Sequence, residues 1–276
     1  MVFMPHITPS PALQPFIRRY FLLHIHTKAF ADNERIKPMP PDADQSLFFY
    51  PRSEVYAISN HTGEKRASAP SIFVAQQTTR MNIRLGEDHL IIQVCFRPGF
   101  MYQFLNKTPV SEFQGKELNA EYLSDQGMGI LNEQLRETSN YQKMIALIET
   151  YLLKRISGIK TDILPIDRAI LCLRNSAAPL SLSWLADQAC LSNRQFERNF
   201  TARMGMSPKF YARIARFDRA FKNKLKNPDE DWLNIAYQCG YFDFSHLMRD
   251  FRQFAEVTPS MLIAEDRMVP GGRTYF

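Results

Sequence analysis

The N-terminal third of the chain alternates short apolar runs with residues that break regular secondary structure. The runs are rich in β-branched and aromatic side chains, which is typical of short antiparallel strands. The predicted strands are Ile17–Ile25, Ser46–Tyr50, Val55–Ile58, Ser71–Ala75, Met81–Leu85 and Leu90–Phe96. The breaking residues include Pro38, Pro41, Pro51, Gly63, Pro70 and Gly86. We therefore expect an antiparallel β-barrel or sandwich in this part of the chain.

After Pro98 and Gly99 the apolar spacing becomes helical. The predicted helices are Phe100–Leu105, Leu131–Glu137 and Tyr141–Ile156. The last of them carries Met144, Ile148, Tyr151 and Leu152 along one side. Such trailing helices either cover the barrel or form a homodimer interface, and an apolar face alone does not decide between the two.

A break in the helical pattern between Ser157 and Asp162 predicts a linker, and Pro165 suits the first turn of a new helix. The fold class is thus α+β with two domains. The predicted division is a β-rich sensor or dimerisation domain at 1–157, a linker at 158–163, an all-α domain at 164–264 and a tail at 265–276.

The helical half contains one pattern twice. The pattern consists of a polar capping residue, apolar core positions and a closing Ser-Pro or Thr-Pro pair. It extends from Ser192 to Pro208 and recurs at a constant offset from Asp243 to Pro259. A short capped helix precedes each copy; these are Leu182–Ala189 after Ser181 and Trp232–Gln238 after Asp231. A supersecondary unit used twice in this form predicts two helix-turn-helix units.

One long helix is predicted between the two copies, from Ser207 to Lys226. Its apolar stripe consists of Phe210, Ile214, Phe217, Phe221 and Leu225. About twenty residues span ~30 Å, which is close to the ~34 Å between successive major grooves on one side of B-DNA. The remaining Lys and Arg residues of this helix are expected to attract phosphates or to form a solvated face.

The second helix of each copy carries the candidate DNA-reading residues. An arginine near the start of such a helix can bond guanine O6 and N7 together. The candidates are Asn193, Arg194, Glu197 and Arg198 in the first copy and Phe244, Ser245, His246, Met248 and Arg249 in the second. A solvated face explains any one of them as well as DNA contact does, but the repeat favours DNA. Arg194 is the strongest candidate, because Arg198 and Arg249 are equally suited to tie their helices to neighbouring elements.

Charge and hydropathy agree with a DNA partner. The 276 residues carry a formal net charge of +6, and the positive charge is concentrated between Ser192 and Lys226. With no signal peptide and no apolar stretch of membrane-spanning length, a cytoplasmic protein without a membrane partner is expected. The four cysteines are expected to be small buried residues and not a disulfide frame or zinc site; they are Cys95, Cys172, Cys190 and Cys239.

The sequence gives little support for a catalytic activity. His24 and His26 lie on one face of a strand and make a candidate metal pair, but no third ligand follows at a suitable spacing. Phosphate-binding loops, nucleophile elbows and paired carboxylates are absent from the sequence. We expect no enzyme activity, no catalytic residue, no metal and no cofactor. Two alternatives stay open, a cysteine-dependent DNA repair protein and a metal-dependent barrel protein, each carrying a DNA-binding domain.

The helical half resembles the AraC/XylS family of bacterial transcription regulators. The matching text is LSLSWLADQACLSNRQFERNFTARMGMSPKFYARIARFDRAF, IAYQCGYFDFSHLMRDFRQF and VTPS. The resemblance implies seven helices that form two helix-turn-helix units joined by a long helix. It places the reading positions at Arg194, Glu197, Arg198, Phe244, Ser245, Met248 and Arg249. Glu256 departs from the family, which usually has glycine there, so it is expected to alter the turn or to repel a phosphate.

The N-terminal half is more loosely similar to the cupin-like sensor domains of this family, through FVAQQTTR and FRPGF. The resemblance implies a sequence-specific transcription regulator that binds double-stranded DNA. It further implies a small-molecule effector in the barrel, homodimerisation, and contact with RNA polymerase where the regulator is an activator. The effector and the operator are not named by the sequence.

Overall fold

The computed structural model describes residues 1–60, 62–113, 117–123, 127–159 and 164–268. The strands are β1 (Val2–Ile7), β2 (Ile17–His26), β3 (Ile36–Met39), β4 (Ser46–Phe49), β5 (Tyr56–Ile58), β6 (Lys65–Ala67), β7 (Ser71–Val74), β8 (Met81–Arg84), β9 (Asp88–Phe96) and β10 (Glu117–Asn119). The helices are α1 (Phe100–Phe104), α2 (Ala120–Leu123), α3 (Gly127–Glu137), α4 (Tyr141–Ile156), α5 (Pro165–Asn175), α6 (Leu182–Gln188), α7 (Asn193–Met204), α8 (Pro208–Lys226), α9 (Trp232–Gln238), α10 (Phe244–Phe254) and α11 (Pro259–Met268).

The strands form two antiparallel sheets, as the alternation of apolar and polar residues predicts. The larger sheet has the order β1-β2-β9-β4-β7-β10, and the smaller has the order β3-β8-β5-β6. All six predicted strands are confirmed within two residues at either end. The four additional strands, β1, β3, β6 and β10, all lie at sheet edges. Pro38 lies inside edge strand β3, where a missing N–H is tolerated, and does not break it.

Helices α3 and α4 cover the outer face of the larger sheet. Met144, Ile148 and Leu152 of α4 are fully buried in one cluster with Tyr20 and Leu22 of β2. Of the two arrangements expected for this apolar face, the structure thus shows the covering one. Homodimerisation through another surface stays a prediction.

The C-terminal helices form the two predicted helix-turn-helix units, α6 with α7 and α9 with α10, on either side of α8. Phe196, Phe200 and Phe217 are fully buried in their shared core, together with Leu247 and Phe251 from the second unit. None of the described helices combines the length and the hydropathy that a bilayer crossing requires.

The division of the chain into two domains at 1–157 and 164–264 stays a prediction. Helix α4 ends at Ile156, and α5 begins at Pro165 with that proline in its first turn. Residues 160–163 of the predicted linker lie outside the described residues, as do 269–276 of the predicted tail. Helix α11 continues to Met268, because its core residues Leu262 and Ile263 anchor it to the helical domain.

A network of buried polar groups joins the β domain to the helical domain. The Asp44 carboxylate is 1% exposed; it accepts hydrogen bonds from Arg18 of β2 and, at 2.6 Å, from Arg174 of α5. Burial raises the pKa of Asp44, but the surrounding cations, first Arg174 and then Arg18, together outweigh it and hold the pKa below its ordinary value. The Tyr211 hydroxyl donates to the Ala43 carbonyl at 3.0 Å, and the Gln45 amide donates to the carbonyl of Arg203 at 2.9 Å.

The cysteines correct one expectation. Cys95 and Cys239 are buried, as predicted, but Cys172 and Cys190 are exposed. Cys172 lies on the outer side of α5, and Cys190 occupies the turn between α6 and α7 with a φ of 55°. The apolar character of cysteine therefore misled the prediction at two positions that are open to solvent.

Gly240 offers a test of the second turn. It has a φ of 83°, and a Cβ at this position would lie 1.8 Å from the Ala177 carbonyl oxygen. We expect Gly240→Ala to lower the free energy of unfolding by at least about 1 kcal/mol, through the left-handed backbone and the clash together. Urea denaturation measures this change.

Gly129→Ala is the matched control. A Cβ there meets no atom within 4 Å, and the residue lies inside α3. We expect this variant to be neutral or to gain up to about 1 kcal/mol, because alanine favours helix. Equal effects of the two substitutions would contradict the role of Gly240.

Candidate DNA-binding interface

Helix α7 presents a polar face at its N-terminal half. The Ser192 hydroxyl accepts from the Gln195 N–H, and the Gln195 side chain accepts from the Ser192 N–H at 3.0 Å, which forms the predicted capping box. The side chains of Phe196 and Phe200 are buried in the core of the helical domain. The four predicted reading residues of this helix are all exposed; they are Asn193, Arg194, Glu197 and Arg198. Among the described residues, neither arginine forms a hydrogen bond or ion pair with another side chain, so both are free to approach DNA.

The C-terminal half of α7 is docked on the β domain. Arg203 is buried, its Nε lies 3.1 Å from the Asp167 carboxylate, and its guanidinium lies 4.8 Å from the centre of the Tyr102 ring. Burial raises the pKa of Asp167, and Arg203 opposes that shift. One helix therefore carries both the candidate reading face and a contact with the β domain.

Helix α10 presents a mixed apolar and polar face. Asp243 caps it by accepting from the His246 N–H at 2.6 Å. Phe244, Ser245 and Arg249 are exposed, whereas Met248 is half-buried. The Arg249 Nε bonds only weakly to the Ser245 carbonyl of its own helix, at 3.4 Å, and not to a neighbouring element among the described residues.

His246 differs from the other predicted reading residues, because its ring is half-buried beside α8. Its Nε2 lies 3.0 Å from the Arg216 guanidinium, which can only donate, so this nitrogen accepts. Desolvation first, and then the charge of Arg216, lower the pKa of His246. A neutral ring with one nitrogen already used is a weak phosphate ligand. Phosphate contact by His246 stays a prediction that only Nδ1 can fulfil.

The basic residues of α8 are not simply a solvated face, which corrects that expectation. The Asp250 carboxylate of α10 is 1% exposed and forms ion pairs with Arg213 at 2.6 Å and with Arg216 at 3.0 Å. Lys222 lies 2.8 Å from the carboxylate of Asp218 in the same helix. Burial and the nearby Asp42 raise the pKa of Asp218 to about 6. The two arginines hold α10 on α8. The carboxylates that pair with these cations are buried. Counting charges along the sequence did not distinguish them from acids on the surface.

Glu256 lies in the turn after α10 with a φ of 62°, the conformation that Gly205 adopts with a φ of 79° at the equivalent place of the first copy. The turn is therefore preserved despite the substitution. The Glu256 carboxylate accepts a hydrogen bond from the Asn60 side chain of the β domain. It contributes to the domain junction, and the expectation that it alters the turn is wrong.

Several exposed apolar side chains around the two units escaped the sequence analysis. Phe242, in the turn before α10, is 84% exposed, and Tyr237 of α9 is 58% exposed. Trp184 of α6 and Leu233 of α9 are also exposed. The signal in the sequence is that Trp184, Leu233 and Tyr237 fall outside the core spacing of their helices.

Comparison with known proteins places these units in a family. Residues 185–264 match a family model described as a helix-turn-helix domain, and residues 5–119 match a domain of unknown function, DUF6597. The chain is 30% identical over 102 residues to the transcriptional regulator ArgR of Pseudomonas aeruginosa, and the match spans 37% of this chain and 30% of that protein. It is 23% identical over 256 residues to the transcriptional activator RhaS of Shigella sonnei, covering 79% of this chain and 87% of that protein.

Among solved structures, ToxT from Vibrio cholerae aligns with a TM-score of 0.47 at 13% identity, covering 86% of this chain and 98% of that one. Two helix-turn-helix units on one long helix, behind an antiparallel β domain, define a DNA-binding regulator of two domains. The C-terminal domain is a helix-turn-helix domain of the AraC type, and the chain is homologous to the regulators ArgR and RhaS.

For Cys95, which lies near Arg97 in the sequence, the geometry gives the cysteine-dependent alternative no support. Cys95 is fully buried, and burial raises the pKa of its thiol to about 11, which disfavours the thiolate that a methyl acceptor needs. The matched relatives are named as transcriptional regulators.

Asp250 provides the test of the interface scaffold. We expect Asp250→Ala to lower the free energy of unfolding by about 3–5 kcal/mol, because two partly buried guanidinium groups lose their shared carboxylate. Chemical denaturation measures the loss. Asp229→Ala, at a turn position outside the core, is the control and should stay within about 0.5 kcal/mol of the parent. A comparable loss in both variants would mean that the buried pairs do not hold α10 on α8.

Proposed function

We propose that this protein regulates transcription by inserting α7 and α10 into successive major grooves of double-stranded DNA. The observation that carries the proposal is the pair of capped helices with solvent-exposed polar faces, both packed on α8. The 19 residues of α8 span ~28 Å at ~1.5 Å each. That length is compatible with recognition helices about one turn of DNA apart.

In this proposal Arg194, Glu197 and Arg198 read bases from α7, with Asn193 beside them. From α10, Ser245 and Arg249 form hydrogen bonds, and Phe244 and Met248 contact thymine methyl groups. His246 contacts a phosphate through its remaining nitrogen. The first unit contributes more specificity, because its arginines are solvated and the face of α10 is more apolar.

Arg194→Ala tests the reading helix. Selection of bound sequences from random DNA first supplies a site, which should span two adjacent major grooves. On that site we expect Arg194→Ala to weaken binding by about 1–3 kcal/mol and to relax one base position. Arg136→Ala, an exposed arginine of α3 in the β domain, should bind as the parent does. The parent affinity should fall steeply with salt.

Ser245→Ala completes the comparison between the two units, measured on the same site by fluorescence anisotropy. Its loss should be smaller than that of Arg194→Ala. Unchanged affinity and base preference in Arg194→Ala would contradict the assignment of α7 as a reading helix. Equal losses in the two variants would contradict the division of labour between the units.

We further propose that a small ligand in the β domain modulates DNA binding. A cavity lies between the two sheets, with apolar walls that include Phe21, Leu23, Ile83 and Ile91 and with Lys37 and His89 as polar groups. Its volume is about 80 Å³, below the ~300–1,000 Å³ of most ligand pockets. A metabolite-sized ligand therefore requires the cavity to widen.

Charged groups connect this cavity to the helical domain. The Lys37 ammonium lines the cavity and lies 3.0 Å from the Asp266 carboxylate of α11, with both side chains almost fully buried. Asp44 lines the cavity and binds Arg174 of α5. A ligand that moves Lys37 or Asp44 would displace helices of the DNA-binding domain.

Asp266→Asn tests the connection without altering the cavity wall. A screen for metabolites that raise the melting temperature of the parent protein should identify a ligand that also changes the affinity of the parent for DNA. Asp266→Asn should keep the thermal shift and lose most of the DNA response, because the charged contact with Lys37 is gone. Asp229→Asn should respond as the parent does. An undiminished DNA response in Asp266→Asn would exclude this route.

The named relatives are transcriptional regulators, and one is named an activator. We propose accordingly that this chain is not an enzyme and that it acts in the cytoplasm. If it activates, RNA polymerase is a further partner, and a homodimer would present two such DNA-binding domains.

A further inference from the structure

His24 and His26 lie on the outer face of the larger sheet, away from the cavity. Side chains alternate along a strand, and the neighbouring residues Phe21 and Leu23 of β2 line the cavity on the inner face. The two imidazole rings are therefore on the side covered by α3 and α4, near the end of the sheet. Their ring centres are 4.9 Å apart.

The pairing of β2 with β9 supplies the third group that the sequence did not reveal. His26 lies directly opposite Asp88 in the antiparallel register. The Asp88 Oδ1 atom lies 2.6 Å from His24 Nε2 and 3.1 Å from His26 Nδ1. One ligand atom from each residue falls within 4.8 Å of the others. These separations suit three ligands of one metal ion after small side-chain adjustments.

We propose that His24, His26 and Asp88 bind a divalent transition-metal ion, with zinc as the best-suited ion. Two imidazoles and one carboxylate are a ligand set that zinc accepts, at about 2.0–2.2 Å from each atom. Three protein ligands leave a fourth position for water or a further ligand. That position is open to solvent, because the side chains of His26 and Asp88 are 73% and 41% exposed.

Neighbouring residues already orient the ligands. His24 Nδ1 lies 2.7 Å from the hydroxyl of Tyr141, the first residue of α4. Once a metal ion displaces the proton that Nε2 shares with Asp88, Nδ1–H can donate to that hydroxyl and the Nε2 lone pair faces the ion. The Asp88 N–H donates to the Ser53 hydroxyl at 2.9 Å, which holds the start of β9 in place. Such outer partners are what distinguishes a prepared metal site from a chance cluster.

Binding would connect three elements. Bonds to the ion would replace the hydrogen bond that Asp88 accepts from His24 and the 3.1 Å contact between Asp88 and His26, linking β2 to β9. Through the Tyr141 contact the same ion would stabilise the N-terminal end of α4. The site is separate from the cavity and from the DNA-reading helices, so its existence does not depend on the proposed function.

Zinc titration against a competing chromophoric chelator tests the proposal. The parent for this experiment carries Cys172→Ser and Cys190→Ser, because these two exposed thiols would otherwise bind zinc. We expect one equivalent to bind, with a rise in melting temperature. His26→Asn should weaken binding at least about tenfold, and Tyr141→Phe by about 10–100-fold. Co²⁺ in place of zinc should give visible absorption of a nitrogen- and oxygen-ligated ion.

His6→Asn is the matched control, because His6 is an exposed histidine on the adjacent strand β1. The zinc affinity of this variant should equal that of the parent. Unaltered thermal unfolding of the metal-free variants would show that they fold. Absence of saturable binding at one equivalent, or equal affinity in the parent and His26→Asn, would overturn the site. Equal affinity in Tyr141→Phe would overturn the positioning role of Tyr141.

Discussion

The buried carboxylate of Asp44 is the contact on which the arrangement of the two domains depends. A charge this deeply buried is tolerated only with partners, and its partners come from both domains, Arg18 from the sheet and Arg174 from α5. Removing the helical domain would take away one of the two guanidinium groups that compensate this charge. The junction is therefore more than the loose contact between domains joined by a linker, and the two domains are expected to respond to each other.

This junction reaches the proposed DNA-reading face through α7. The first half of that helix is solvated and carries Arg194, while its second half is held by Asp167 and by the Gln45 amide. A rigid helix transmits displacement along its axis, so movement at the docked end reaches the reading end. The same geometry gives a role to Glu256 in its left-handed turn, because its carboxylate contacts Asn60 across the junction.

Much of the fold follows from local physics. Capping residues such as Ser192 and Asp243 satisfy the first N–H groups of a helix, and these signals placed the helix starts within one residue. Alternating apolar runs likewise placed the central strands. Edge strands such as β1 and β3 were missed, because each contains a proline, and β3 buries Lys37 and Pro38 where an apolar run was expected. The candidate reading residues follow from the repeat, which identifies equivalent helix faces; that they read DNA stays a prediction.

The sequence by itself determined the two helix-turn-helix units, the long helix between them and the β-rich first domain, since caps, periodicity and a repeat are properties of neighbouring residues. Only the tertiary structure decided which charges are internal. Arg213 and Arg216 look like part of a solvated stripe along α8, yet both meet the buried Asp250 carboxylate, 37 and 34 residues away in the chain. Strand pairing likewise brought Asp88 to His24 across 64 residues. Contacts of this range depend on register and packing, which no local pattern encodes.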